Sequence, residues 1–279
     1  IQINQLELKN RIFLPAMHLS LARDFLATDS LIEFYAVRAK GGAAAIVVGF
    51  ATIDELSGDQ TNIGAHKDEY IPGLKNLADA IKDNGSRAIL QINHAGKNNH
   101  SMMLGGKSPV APSAVPNRLT RETPRALEKD EIPEIIAGFA RAAVRCQKAG
   151  YDAVEVLSGS GYLISSFLSP ITNIREDEWG GTFENRMRFG IEVMKAIKQA
   201  VGKDYPMLAR INGNDLMPGG VGRKDLQIFA KELEAAGVDA LNINVGWHEA
   251  RIPQIVTSVP KGVYGYLSKG IKEQVNIPV

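Results

Sequence analysis

Hydrophobic positions along this 279-residue chain follow two alternating patterns. Apolar residues that recur every three or four positions are typical of helices, and they separate short runs of aliphatic and β-branched residues. These runs predict buried strands at residues 12–15, 44–48, 88–92, 153–157, 207–211 and 240–245, with a seventh beginning near Pro278. The helix near Ser30 is expected to open with a capping box formed by Ser30 and Glu33, and to end at Gly41-Gly42.

One short phrase recurs where a helix gives way to a strand. It is AGYDA at residues 149–153 and AGVDA at residues 236–240. Repeated helix–Gly–strand units predict a chain of βα repeats. No Gly-x-Gly-x-x-Gly motif follows any of the strands, which disfavours an open dinucleotide-binding sheet. We therefore predict an α/β fold of the (β/α)8 TIM-barrel type, with residues 1–279 forming a single barrel domain truncated after about strand 7.

Composition and charge limit the kinds of partner and cofactor to be expected. The net charge is +1, which gives no reason to expect nucleic acid or an anionic membrane surface as a partner. No apolar run approaches the roughly 20 residues of a membrane span. The single cysteine, Cys146, forms no disulfide within the chain, and it cannot by itself hold a zinc ion or an iron–sulfur cluster. We expect no metal site in this segment and a reducing, cytoplasmic location.

In a barrel, the chemistry lies on the loops that follow the carboxyl ends of the strands. The candidate positions lie where each strand ends. They are Pro15, Ala16, Met17 and His18 at the first strand, Gly49 at the second, Gln91 to Lys97 at the third, Tyr162 after the fourth, Arg210 to Asn212 at the fifth and Asn244 to Glu249 at the sixth. This set contains no Asp/Glu/His metal cluster, no Ser–His–Asp grouping and no lysine placed for a Schiff base.

These residue types suit a flat heterocycle with an amide edge. The carboxamide of Gln91 can both donate to and accept from such an edge. Arg210 would place a permanent cation beside the ring and stabilise a reduced, anionic flavin. Tyr162 could give up a proton, and His94 is a further functional candidate. For Glu155, we consider a pairing with one of the arginines of the following loop and helix, Arg175, Arg186 or Arg188.

Four motifs then stand out in order along the chain. They are LKNRIFLPAM (8–17), QINHAGK (91–97), GYDAVEV with GYLISSFLSPITN (150–173) and EWGGTFENRMRF (178–189). With these motifs the chain resembles the Old Yellow Enzyme family of flavin-dependent reductases. The segment GWHEARIP (246–253) is most similar to the 2,4-dienoyl-CoA reductase branch.

The resemblance implies roles for particular residues. Tyr162 matches the proton-donating tyrosine of the family, and His248 matches the second catalytic residue of the dienoyl-CoA branch. The cofactor is expected to be FMN, with ring contacts from Gln91 and Arg210 and a backbone wall from Pro15, Ala16, Met17 and Gly49.

The resemblance also implies partners for the protein. The substrate would be an unsaturated acyl-CoA thioester reduced at a conjugated C=C bond, with NAD(P)H as electron donor. An iron–sulfur (4Fe-4S) module and an FAD/NAD(P)H module are expected beyond residue 279, and a homo-oligomer is possible. Loops after strands seven and eight grip the cofactor phosphate in such barrels, so we expect residues 1–279 alone to bind FMN poorly.

The chain departs from the family pattern at two places, the first of which disfavours simple ketone or aldehyde substrates, and several other functions stay open as alternatives. The usual substrate-binding His pair is replaced by Leu157 and Ser160, and the usual arginine after His-x-Gly is Lys97. The alternatives are another reductase of the family (enoate or aryl-CoA), an amine dehydrogenase, a flavin-free barrel lyase or isomerase, and a non-catalytic electron-transfer scaffold.

Overall fold

The computed structural model describes residues 1–279. Its strands are β1 (Gln2–Ile3), β2 (Leu6–Glu7), β3 (Phe13–Leu14), β4 (Ala45–Thr52), β5 (Ile63–Gly64), β6 (Arg87–Asn93), β7 (Val110–Ala111), β8 (Arg125–Ala126), β9 (Ala153–Leu157), β10 (Met207–Asn212) and β11 (Ala240–Asn244). Its α-helices are α1 (Asp29–Lys40), α2 (Ile71–Asp83), α3 (Glu131–Lys148), α4 (Leu163–Leu168), α5 (Phe183–Val201), α6 (Arg223–Ala235) and α7 (Gly265–Lys272). Short 3-10 helices cover Asp68–Tyr70, Gly96–Asn98 and Ser101–Leu104.

The six strands predicted from the sequence form one parallel sheet in the order β3-β4-β6-β9-β10-β11, with β5 paired to the end of β4. Helices lie between successive strands, so the α/β prediction and the half-barrel arrangement are confirmed. No seventh strand forms near Pro278. Instead, the segment near Pro278 contacts the edge strand β11 through a single backbone hydrogen bond, which Leu241 N–H donates to the Pro278 carbonyl at 2.9 Å.

The repeated AG-x-DA phrase has a structural function. Its second residue is a glycine with positive φ in both copies, +83° and +98°, which allows the chain to leave the helix. The aspartate then turns back to the preceding strand. Asp152 Oδ2 accepts from Ala88 N–H at 2.8 Å, and Asp239 Oδ2 accepts from Met207 N–H at 2.8 Å. Each aspartate thus satisfies the amide at the start of a neighbouring strand.

Apolar side chains pack in two separate regions because successive residues of a strand point to opposite faces. The larger region lies between the sheet and its helices. The smaller one fills the amino-terminal end of the half-barrel, where the β1–β2 hairpin contributes Ile3, Leu6 and Leu8. The amino-terminal end is therefore plugged, and the carboxyl end is left for a site.

The expected capping box of α1 is wrong. The helix is capped by Thr28, whose Oγ1 accepts from Leu31 N–H at 3.3 Å, so Ser30 already lies in the first turn. Thr28 Oγ1 also donates to the Leu21 carbonyl at 2.6 Å, and this contact with the preceding loop places the helix start two residues earlier. The helix ends at Gly41, as predicted.

None of the helices combines the length and apolar character needed to cross a membrane.

Candidate active site

Polar groups replace apolar ones inside the half-barrel toward the carboxyl ends of the strands. Alternation along each strand sets the order of the layers. The lower layer contains Val47, Ile89, Ala153, Leu208 and Ala240, and two residues further along the same strands lie Gly49, Gln91, Glu155, Arg210 and Asn242. A polar layer thus lies directly above an apolar floor.

Glu155 organises this polar layer. Its Oε1 accepts from Gln91 Nε2 at 2.6 Å, and its Oε2 accepts from Asn242 Nδ2 at 3.1 Å. Burial raises the pKa of the Glu155 carboxyl, while Asn242, the nearby Arg210 charge and Gln91 oppose the shift. The pairing with a loop arginine considered from the sequence is therefore wrong. Glu155 points into the barrel, and Arg175 pairs with Asp177 instead.

Arg210 joins this layer to the end of the first barrel strand. Its Nη1 donates to the Ala16 carbonyl at 3.1 Å, and its Nη2 donates to Asn244 Oδ1 at 3.4 Å. A Cβ added to Gly49 would lie 2.5 Å from Ala16 Cβ and 3.1 Å from Gln91 Oε1. The structure thus brings together Ala16, Gly49, Gln91 and Arg210, four of the residues predicted to bind the cofactor.

The remaining groups of this layer fit the polar edge of a flavin. Arg210 Nε is buried without a hydrogen-bond partner. Gln91 uses its Nε2 on Glu155, which leaves its carbonyl oxygen to accept from a ring N–H. Pro15 and Met17 flank Ala16 and are exposed, in positions where backbone could border a bound ring.

Four aromatic rings form a row at the carboxyl end of the barrel. The ring centroids are 5.6 Å apart for His18 and Phe50, 5.8 Å for Phe50 and Tyr162, and 5.0 Å for Tyr162 and His248. These four rings help to line a cavity of about 210 Å³. The structure therefore brings the two predicted catalytic residues, Tyr162 and His248, together at one cavity.

The phenol of Tyr162 is held in its protonated form. Burial raises its pKa to about 12, an effect that the positive charge of Arg210 partly offsets. Tyr162 lies at the N-cap of α4, after Ser160 and Gly161, which have positive φ values of +62° and +85°. This sharp turn takes the chain from the end of β9 to the cavity.

His248 is fixed by the same turn. Its Nδ1 lies 2.7 Å from the Ser160 carbonyl, and because a carbonyl only accepts, Nδ1 carries the hydrogen. The turn is held in place by Asn212 and Asn244. Asn212 Oδ1 accepts from Ser160 N–H at 3.2 Å, and Asn244 Nδ2 donates to Ser160 Oγ at 2.6 Å.

His94 does not line this cavity. It is buried, its Nδ1 accepts from Gly96 N–H at 3.0 Å, and burial lowers its pKa, so it supports the loop after β6 as a neutral ring. The sequence reasoning placed Asn212 and Asn244 at strand ends but gave them no role, and it missed Phe50 and Asn242 as site residues. The spacing of Asn242 and Asn244 by two residues on one strand was a usable indication, since it places both on one face.

The fold is that of a parallel α/β barrel, with polar groups gathered at the carboxyl edge of its sheet. Barrel enzymes carry their catalytic residues at that edge. The chain belongs to the NADH:flavin oxidoreductase / NADH oxidase family, whose sequence model matches residues 1–275.

Relatives agree with this assignment. A metal reductase of Desulforamulus reducens is 48% identical over 278 residues, which are 100% of this chain and 42% of the relative. A solved structure of 2-naphthoyl-CoA reductase with 2-naphthoyl-CoA superposes with a TM-score of 0.94 at 36% identity, over 98% of this chain and 44% of that one. An old yellow enzyme homologue from Zymomonas mobilis gives a TM-score of 0.85 at 26% identity, over 100% of this chain and 79% of that one. The chain thus spans less than half the length of the first two.

Proposed function

We propose that the protein is an FMN-dependent oxidoreductase that reduces a conjugated C=C bond of an unsaturated acyl-CoA thioester, with NAD(P)H as the electron donor. One observation carries the proposal: the protonated phenol of Tyr162 lies beside His248 at a cavity on the carboxyl edge of the barrel. The similarity to 2-naphthoyl-CoA reductase supports a thioester substrate.

The proposal assigns a separate role to each group of site residues. Gln91, Arg210 and the segment Pro15 to Met17, together with Gly49, would hold FMN, which when bound supplies hydride to an electron-poor carbon. Tyr162 donates a proton to the neighbouring carbon of the substrate, and a positioned acid of this kind contributes about 10²- to 10⁴-fold. His248, oriented through its Nδ1, assists from the rim with a hydrogen bond.

The two residues that replace the His pair favour a thioester over a simple ketone or aldehyde. Leu157 has an apolar side chain, and the hydroxyl of Ser160 accepts from Asn244 Nδ2 at 2.6 Å. Neither position offers the imidazole donors that hold a carbonyl oxygen in simple enone reductases. The whole protein would carry the missing parts of the barrel, a 4Fe-4S cluster and an FAD module that passes electrons from NAD(P)H.

An anaerobic titration tests the proposal. The full-length protein is reduced with NAD(P)H and mixed with 2,4-dienoyl-CoA, 2-naphthoyl-CoA or, as a control, a saturated acyl-CoA of equal length. We expect one of the two unsaturated thioesters to restore the oxidised flavin absorbance in stoichiometric amount, while the control leaves it unchanged. Absence of reoxidation by both thioesters contradicts the proposal.

The 48%-identical metal reductase supports a second candidate, electron transfer from the flavin to a metal ion. This reaction needs no proton donor at carbon. In the same titration, ferric citrate would reoxidise the flavin at equal rates in the wild type and in Tyr162→Phe. A thioester would do so only in the wild type at full rate.

A further inference from the structure

A buried ion pair lies next to His248. Lys97 Nζ donates to Glu249 Oε1, and the two side chains are only 3% and 4% exposed. In every other ion pair of the chain, at least one side chain is 12% exposed or more. Lys97 follows β6, whereas Glu249 follows β11, so the pair connects two loops from different parts of the barrel.

Further contacts support the carboxylate of Glu249 and the backbone and side chain of Lys97. Glu249 Oε2 accepts from Arg118 N–H at 3.1 Å, and Asn117 Nδ2 donates to the Lys97 carbonyl at 2.8 Å. Lys97 Nζ lies 5.3 Å from the ring centroid of Trp247. Desolvation makes a buried pair costly unless its geometry is well supported, and here three further groups support it.

These contacts hold the residues on both sides of His248. Trp247 is buried, and its ring packs on Gly161, where a Cβ would lie only 2.9 Å from Trp247 Cε3. Glu249 is held by Lys97. His248, which lies between them, is exposed, and its imidazole makes one hydrogen bond, from Nδ1 to the Ser160 carbonyl. Besides its contacts with the Ser160 turn, the position of His248 therefore depends on its two neighbours.

We propose that Lys97 and Glu249 are positioning residues that fix His248 beside Tyr162 for the reaction. This inference rests on the proposed function, because it assigns the pair a role through His248. Neither Lys97 nor Glu249 lines the cavity beside Tyr162 and His248, so the pair would act through His248. A displacement of about 1 Å at a reacting group can cost about 100-fold in rate, so loss of the pair is expected to act on turnover.

Three variants of the full-length, FMN-loaded protein test the proposal: Lys97→Met, Glu249→Met and the double variant. We expect each single variant to lower kcat roughly 10- to 100-fold, with KM and the flavin absorbance little changed. Hydrogen exchange of residues 246–250, followed by mass spectrometry, should become faster. Lys97→Arg keeps the charge and should retain most of the turnover. Lys195→Met removes an exposed pair with Glu192 and serves as the matched control.

The double variant separates positioning from stability. Replacing both buried charges with apolar residues of similar size often restores stability. We expect the double variant to regain the Tm of the wild type but to keep the low kcat. Recovery of kcat together with Tm, or full kcat and unchanged exchange in the single variants, would overturn the proposal. His248→Ala is measured in parallel. Unchanged turnover in that variant counts against the proposed role of His248. The exchange experiment reports separately on whether Lys97 and Glu249 hold residues 246–250 in place.

Discussion

At the residue scale, the role proposed for Tyr162 depends on its protonation. A free tyrosine has a pKa of about 10. Desolvation of the partly buried Tyr162 phenol raises its pKa to about 12, although Arg210 opposes the shift. The phenol must carry its proton in order to donate it. Raising the pKa therefore extends the range of pH over which Tyr162 is competent toward the alkaline side.

The pH dependence of turnover follows from this shift. We expect kcat on an unsaturated acyl-CoA to show no loss due to Tyr162 between pH 7 and about 10, because the group titrates near a pKa of about 12. The profile of the wild type is compared with that of Tyr162→Phe. An alkaline decline with an apparent pKa of about 9 that is present in the wild type and absent in the variant would contradict this account.

Some individual residues could be found from the sequence and others could not. Tyr162, Gln91 and Arg210 could be selected because they lie at the ends of predicted strands. The partner of Glu155 could not be predicted from the sequence. The segment AVEVL is buried on both faces, so it shows no polar–apolar alternation that tells which face points into the barrel. Only the three-dimensional register places Glu155 opposite Gln91.

At the element scale, the aspartates of the repeated phrase connect neighbouring βα units. Asp239 accepts from Met207 N–H at 2.8 Å, from Lys198 Nζ at 2.7 Å and from Asn4 Nδ2 at 3.0 Å. The sequence revealed the repeat, but not these partners, which come from three other elements. Similarly, local spacing favoured Ser30 as the cap of α1, whereas contact with the preceding loop at Leu21 selects Thr28.

Removal of this connection should destabilise the sheet. We expect Asp239→Ala to lower the free energy of unfolding by about 1–3 kcal/mol, because it leaves a backbone N–H without its partner. Urea unfolding measures the effect, and Asp204→Ala, at an exposed position, is the control. Equal stability of the two variants would show that the aspartate cap contributes nothing.

The middle of β4 should tolerate no side chain at Gly49. In Gly49→Ala the new Cβ would lie 2.5 Å from Ala16 Cβ, so the backbone at Ala16 or Gly49 must shift. Overpacking costs about 1–3 kcal/mol, which corresponds to roughly 5- to 150-fold in FMN affinity if the cost falls on the bound state. Quenching of flavin fluorescence by the full-length protein measures this affinity. Gly73→Ala, where the nearest atom is 3.8 Å away, is the control and should bind FMN as the wild type does.

At the scale of the whole molecule, the half-barrel separates stability from chemistry. The hairpin β1–β2 closes the amino-terminal end with apolar side chains, and the polar layer lies above it. The alternation of strands and helices made the barrel predictable from the sequence. The plug was not predictable, because two-residue strands leave no periodic pattern. The chain covers 44% of the length of 2-naphthoyl-CoA reductase, so its function is best measured in the full-length protein.

The most direct test of the central claim is a single-turnover measurement on Tyr162→Phe. The full-length protein, reduced under anaerobic conditions, is mixed rapidly with the thioester that reoxidises the wild type, and the return of flavin absorbance is followed. We predict a rate lower by about 10²- to 10⁴-fold with the flavin still bound. Equal rates in the variant and the wild type would contradict the assignment of Tyr162 as the proton donor.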